Sequence, residues 1–428
     1  MPCFGFRRRL SERRPSSWRR NAALDGVVFS HAGVELLGLG ELREVSVGSL
    51  PDLSDRLIPS AVLSAEIAGD PGPRGSAPRI HLVVPFEGDG TITAYLPTFQ
   101  VTTTDDGSWL TAIGESPAEA EQRALQVESL ITDAPRTATA GPDLADLAEV
   151  PSRSSYGRMV RTAVDQIERG RLEKVVLSRS VVLHATQPLD VSSILDRMEE
   201  REPSCTTFVI PAKTGVFVGA SPELLIQRRG RAVASHPLAG TVSLEDASGQ
   251  RLLADSPKDL EEHRLVVIDI ASRLEPLVES IDVPSTPSIV ALRSVAHLGS
   301  SITATLREDD MHDALNLLAA IHPTPAIGGT PREEALALVT ELEQGPRGMF
   351  GGAVGWMASD GDGEFVLGIR GAVVNGATAA VRAGAGIVRA STPEGEAEET
   401  RVKLASILNA VLPGSSEKLA AVESISER

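Results

Sequence analysis

An α+β fold with large, mostly antiparallel sheets is what this sequence predicts, on three observations. Short apolar runs such as His81-Leu82-Val83-Val84-Pro85 and Thr91-Ile92-Thr93-Ala94-Tyr95-Leu96 are set apart by Gly, Pro and Asp turns. Stretches of helical apolar spacing interrupt them without the regular strand-helix alternation of a parallel sheet. A chain of 428 residues, 42% of them hydrophobic, is long enough for one large domain or two to three ordinary ones.

Taken in order, the strand-like runs begin near residue 22, and residues 116–132 read as a helix with Ser116-Pro117 as cap and first turn. Residues 132–155, rich in Pro, Thr and Asp, have little periodicity. They suit a linker or, equally, a long surface loop within one domain. A helix is expected over 156–169, closed by Gly170, with strands over 174–183, 207–211, 215–218 and 224–227. Ser256 then caps a helix over 257–280, with Asp259 three residues on as its partner. Helices over 313–320, 331–343 and from about 396 to 411 complete the set, around a Gly- and Val-rich stretch at 350–388. Residues 1–21 are expected to be a disordered basic arm, with a docking or targeting arm as the alternative, and 414–428 a frayed tail. No internal repeat stands out.

Charge and cysteine content exclude several functions. The formal net charge is −17, yet the first 21 residues hold seven Arg against one Glu, so the remainder carries −23. So acidic a body argues against nucleic acid or an anionic membrane as partner. No stretch approaches the roughly 20 apolar residues of a membrane span, and the Arg-rich start is not followed by the apolar run of a secretory signal. Cys3 and Cys205 alone make neither a disulfide framework nor a cysteine-based zinc site. A cytoplasmic protein is expected.

The chemistry-bearing residues fall in clusters. Ser256-Pro257-Lys258-Asp259-Leu260-Glu261-Glu262-His263 and Glu394-Gly395-Glu396-Ala397-Glu398-Glu399 each space carboxylates three apart at a helix start, where they share a face. Brought together, the two faces would offer oxygens to a hard cation such as Mg2+; taken singly, either is a solvated first turn favoured by the helix dipole. Lys174 heads the apolar strand Lys174-Val175-Val176-Leu177-Ser178-Arg179. It is either a solvated strand-end lysine or an amine turned into a cleft, where loss of water favours its basic form. Glu223, between Ser221-Pro222 and Leu224-Leu225-Ile226, is either an ordinary surface residue or a general acid. Arg370 interrupts an apolar strand, and Ala383-Gly384-Ala385-Gly386-Ile387 could offer backbone N–H groups to a carboxylate. Neither GxxxxGK[ST] nor GxGxxG is present, so nucleotide binding has no support.

In this order, Lys174-Val175-Val176-Leu177-Ser178-Arg179, Ala220-Ser221-Pro222-Glu223, Pro237-Leu238-Ala239-Gly240-Thr241, residues 258–263, His322-Pro323-Thr324-Pro325-Ala326, Gly355-Trp356 and residues 396–403 resemble the chorismate-utilising enzymes, specifically the isochorismate synthases. The resemblance is continuous from about 156 to 411. It implies a single domain over 22–413, in which 22–150 complete the sheets and 151–413 supply the active site. It also implies that Mg2+ holds the ring carboxylate of chorismate, with Glu262 and Glu399 as direct ligands and Asp259 and Glu396 acting through water. Arg370, Lys403, Gly384 and Gly386 would bind substrate carboxylates, and Gly240, Thr241, His297, Ala326 and Phe350 would complete the substrate pocket. Lys174 would be the general base on a water attacking C2, and Glu223 the acid that assists departure of the C4 hydroxyl.

Family members that use ammonia generally lack this Lys-Val-Val arrangement, so the resemblance implies water as nucleophile. Salicylate synthases, the nearest alternative, usually carry Thr in place of Ala326 and commonly Tyr in place of Phe350. Val242, where the family has Arg, and Gly328-Gly329, where Ser-Gly or Cys-Gly is more usual, depart from the pattern. A catalytically silent, metal-dependent binding protein on the same scaffold is the alternative from another class. A monomer is expected, making a product that feeds menaquinone and siderophore routes alike.

Overall fold

The strand Lys174–Ala185 runs antiparallel to Thr378–Ile387, in register from Val175 opposite Ile387 to His184 opposite Thr378. Its β-branched residues suit the pleated, packed surface this pairing creates. Leu144–Val150 also pairs with it, and the short strand Gly329–Thr330 pairs with its first two residues. Gly329 is required there: its φ is +150°, and a Cβ would stand 2.2 Å from the Lys174 carbonyl oxygen. One departure from the family pattern thus lies beside a position that only glycine can fill.

The computed structural model describes residues 4–10, 16–46, 48, 66–70, 78–87, 92–127, 141–244, 253–309 and 312–426. Twenty of its strands join in one hydrogen-bonded network, and Leu238–Ser243, Val295–Gly299 and Ser288–Ala291 form a second, small sheet. Among the described residues the one parallel pairing is Phe4–Arg9 with Glu66–Gly69. The α+β class with large antiparallel sheets is therefore the observed one.

Two helices aim at the middle of this framework, and both start by the same rule. Pro257–Leu274 begins at Ser256, whose hydroxyl accepts from the Asp259 N–H at 3.3 Å. Pro393–Val411 begins at Thr392, whose hydroxyl accepts from the Gly395 N–H at 3.2 Å. A side-chain cap followed by Pro satisfies orphan donors and presets φ for the first turn. The first helix ends earlier than expected, passing into a 3-10 turn Glu275–Leu277 and then the strand Ser280–Asp282, because Pro276 cannot continue an α-helix. The second starts three residues before the sequence reading put it.

Strand and helix bridge two apolar cores. Val175, Val176, Leu177 and Ala397 pack into one; Val181, Leu183, Leu404, Ile407 and Leu408 into the other. Burying a Leu or Ile side chain is worth about 1.5–3 kcal/mol, so both elements are anchored at each end.

Three expectations need correction. Residues 4–9 and 16–25 are not a disordered arm: Phe4–Arg9 pairs with Gly107–Gly114, and the helix Ser16–Asp25 buries Trp18, Ala22 and Ala23. Composition hid this because the arginines find specific acceptors. Arg7 donates to Thr111 Oγ1, Arg8 to the Ala124 carbonyl, and Arg19 to Glu35 and Asp196. The tail is not frayed either; Ser415–Ser426 is a helix with Leu419 and Glu423 buried. Of the suspected linker, 141–155 holds the strand Leu144–Val150 and the start of the helix Arg153–Glu168, while 132–140 lie outside the described residues. The helix expected over 116–132 is seen as Pro117–Leu125, its last expected residues again lying outside.

Candidate active site

Between the two cores opens a pocket. Glu223, Gly240, Thr241, Glu262, His297, Ala326, Phe350, Arg370, Gly384, Gly386, Glu399 and Lys403 all line it. The residues expected from the sequence thus come from nine separate segments that the fold brings to one place. Lys174, Asp259 and Glu396 are not part of the lining.

Lys174 is not a solvated strand-end residue. Its side chain is fully enclosed just behind the pocket wall, with Nζ 3.0 Å from Glu262 Oε1. Gly386 makes room for this pair: a Cβ there would stand 2.1 Å from Glu262 Oε1 and 3.0 Å from Lys174 Cε.

The acidic set is matched by lysines. Lys403 Nζ donates to Glu399 Oε1 at 2.6 Å and to the Gly384 carbonyl at 3.0 Å. Lys258 Nζ donates to Glu396 Oε1 at 2.7 Å, while Glu396 Oε2 is buried without a partner. Burial, reinforced by the neighbouring Glu399, pushes the Glu396 carboxyl up to about 7. Burial also raises Asp259, which feels Glu262 and Glu399. For Lys258 burial acts downward, but the Glu396 carboxylate outweighs it and holds the ammonium above its ordinary range.

Glu223 lies at the turn between Gly215–Ser221 and Leu224–Arg229 and is buried, one carboxyl oxygen lacking any partner. Loss of water pushes it up to about 8; the Leu238 N–H, Lys174 and Lys403 act the other way without prevailing. At neutral pH it keeps its proton.

Arg370 and His297 line the pocket as a hydrogen-bonded pair. Arg370 adopts φ +53°, a left-handed conformation that costs a non-glycine residue about 1–3 kcal/mol. Its Nη2 donates to His297 Nε2 at 3.0 Å, so the ring proton sits on Nδ1, which donates to the Gly240 carbonyl at 3.1 Å. Burial, with Arg370 and Lys403 nearby, holds His297 well below the usual range and therefore neutral.

Some pocket residues escaped the sequence reading. Arg382 lines the pocket, donates from Nε to Ser180 Oγ at 2.8 Å and pairs with Glu343 at 3.4 Å. Its signal was available, as the one charged residue in a strand of small and β-branched side chains. Arg347 holds the walls by donating to the carbonyls of Ile327 and Val176, both at 2.7 Å; nothing in its local sequence marks that task. Lys258 stood in a quoted motif without a role.

The donor set suits a hard divalent cation. No three acids or histidines among the described residues already form a closed cage. Mg2+ is usually held by one or two carboxylates with substrate oxygens and water rather than by an all-protein cage. Glu262 and Glu399 supply two carboxylates on one pocket, and the unpartnered Glu396 Oε2 is a further acceptor close by.

An acidic group that keeps its proton, an enclosed amine and strained cationic backbone around one cavity are the features of a catalytic pocket, so fold and site together define an enzyme. The family model described as chorismate binding enzyme matches residues 86–412, and the chain belongs to that family. The isochorismate synthase EntC of Escherichia coli (strain K12) is 37% identical over 267 residues, covering 61% of this chain and 68% of that protein. The isochorismate synthase DhbC of Bacillus subtilis (strain 168) is 36% identical over 276 residues, 61% of this chain and 69% of that one. Among solved structures, MenF, the menaquinone-specific isochorismate synthase from Escherichia coli, matches with a TM-score of 0.79 over 96% of this chain and 94% of its own. At 24% identity that is a likeness of fold.

Proposed function

We propose that this chain is an isochorismate synthase, converting chorismate to isochorismate with Mg2+ by adding water at C2 and releasing the C4 hydroxyl. One observation carries the reading: the pocket presents a carboxyl pushed up to about 8, Glu223, while the amine of Lys174 stands behind the Glu262 and Gly386 wall. Exchanging water for hydroxyl needs both a group that removes a proton from the nucleophile and one that supplies a proton to the leaving oxygen.

Glu223, protonated at neutral pH, gives its proton to the C4 oxygen. Lys174 takes one from the water that attacks C2, provided Glu262 releases it. Arg370 and Lys403 bind substrate carboxylates, and the neutral His297 orients the Arg370 guanidinium by accepting from it. Gly384 and Gly386 offer close backbone approach, Gly240 and Thr241 complete the polar rim, and Ala326 and Phe350 form the apolar wall. Glu262 and Glu399 would hold Mg2+, with Asp259 and Glu396 supporting them through water. When bound, the ion would neutralise a substrate carboxylate within a chain of net charge −17.

The relatives named as isochorismate synthases support this reaction over its neighbours. A cytoplasmic monomer completes the proposal; no helix among the described residues is long and apolar enough to cross a membrane. Chromatography of the products made from chorismate, with Mg2+ and with EDTA, tests it. Isochorismate formed only with the metal is the expected result. Salicylate and pyruvate would assign the chain to the salicylate synthases, and no turnover to a silent binding protein.

A further inference from the structure

Arg179 lies on the Lys174 strand, five residues along and on the opposite face, with its side chain entirely enclosed. A buried guanidinium is strongly unfavourable unless its donors are met, and here they are. Nε donates to Thr400 Oγ1 at 2.9 Å and Nη1 to Glu149 Oε1 at 2.6 Å. Nη2 donates to Glu423 Oε1 at 2.7 Å and to the Ala397 carbonyl at 3.2 Å. Arg153 adds a second cation to Glu423 at 3.1 Å and lies 3.8 Å from Glu398.

The placement of these contacts on the helix Pro393–Val411 is informative. Ala397 and Thr400 each follow by one residue the positions of Glu396 and Glu399. At about 100° per residue, fixing 397 and 400 on the inner side sets the rotation that turns 399 and 403 into the pocket and 396 toward Lys258. Thr400 is tied in further, its hydroxyl donating back to the Glu396 and Ala397 carbonyls. Glu423 reaches Arg179 from the helix Ser415–Ser426, whose Leu419 is seated in the core.

We infer that Arg179 and Glu423 form a clamp that sets the rotation of the helix bearing Glu396, Glu399 and Lys403, making the last helix a positioning element of the active site although none of its residues lines the pocket. The inference rests on the metal and substrate roles proposed above for that helix. Glu423 acts through Arg179 and Thr400 and touches no reacting atom. Its removal leaves the guanidinium buried with one carboxylate fewer and frees the helix to turn.

The test uses the full chain with three substitutions: Glu423→Ala, Glu423→Gln, and Leu419→Ala, which weakens the same helix through packing alone. Mg2+ affinity is measured by calorimetry without substrate, thermal stability by melting, and kcat and KM with chorismate. Glu423→Ala should weaken Mg2+ binding by about tenfold or more, as loss of a residue supporting metal ligands does, and lower kcat more than it raises KM. Glu423→Gln, which keeps an acceptor for Arg179, should fall between wild type and Glu423→Ala and remain interpretable if the alanine variant does not fold. Leu419→Ala should lower the melting temperature and leave Mg2+ affinity unchanged. The clamp is refuted if both Glu423 variants bind Mg2+ and turn over as the wild type does, or if Leu419→Ala loses metal affinity in step with stability. Failure of the wild type itself to bind Mg2+ or convert chorismate would overturn the active-site reading, and this inference with it.

Discussion

Lys174 Nζ and Glu262 Oε1 stand 3.0 Å apart in a space that any side chain at 386 would invade. The group assigned to take a proton and a group assigned to hold the metal are therefore each other's partners. One carboxylate cannot fully serve both cations, so on the proposed roles metal occupancy and freedom of the lysine would be linked through Glu262.

Replacing Lys174 with Ala should lower kcat/KM by about 10²–10⁴, the range for loss of a general base. Folding should survive, because Glu262 lines the pocket and can be rehydrated there. Steady-state kinetics together with far-UV circular dichroism check both halves.

On the proposed role, the proton on Glu223 should set the upper pH limit of activity. With its carboxyl pushed up to about 8, kcat should decline as pH rises through that value, and Glu223→Gln should be slow with the limb removed. Stability follows the same sign. The folded protein holds a proton that the unfolded chain releases near the ordinary 4.5, so the contribution is complete below about 4.5 and is lost as pH rises toward about 8. Melting curves across that window should show a shallower fall for Glu223→Gln than for wild type.

Mg2+ should stabilise the fold by mass action, by about 2.7 kcal/mol at a hundredfold excess over its dissociation constant. Glu262→Gln and Glu399→Gln should each remove most of that gain in a thermal-shift titration. Unchanged Mg2+ stabilisation in both variants would exclude them as ligands.

Gly386→Ala would put a Cβ where the Glu262 carboxylate now lies, so that carboxylate must move. Displacement of a catalytic group by about 1 Å can cost about 10²-fold in rate. A loss of that order in kcat/KM, with a near-native melting temperature, is the expected outcome.

What the sequence revealed and what it hid have physical causes. One helix start was legible because Ser256-Pro257 is a local signal; the other, at Thr392-Pro393, was expected three residues too late, though the paired acids beyond both point to one face by spacing alone. Twelve of the pocket-lining residues were legible through the family resemblance, which rests on ordered motifs from distant segments that only the fold brings together. Burial of Lys174 was not, since it depends on the pairing of 174–175 with 329–330 and on the space at Gly386. Neither could composition show that Arg7 and Arg19 find acceptors far along the chain, or that Glu423 returns to meet Arg179. Such long-range ion pairs leave no periodic trace.

Water labelled with 18O tests the central claim most directly, because it follows the oxygen that Lys174 is proposed to activate. Incubation of the enzyme, Mg2+ and chorismate in such water, followed by mass spectrometry of the product, should show isochorismate carrying one heavy oxygen at C2. Unlabelled isochorismate, or labelled product formed by Lys174→Ala at the wild-type rate, would contradict it.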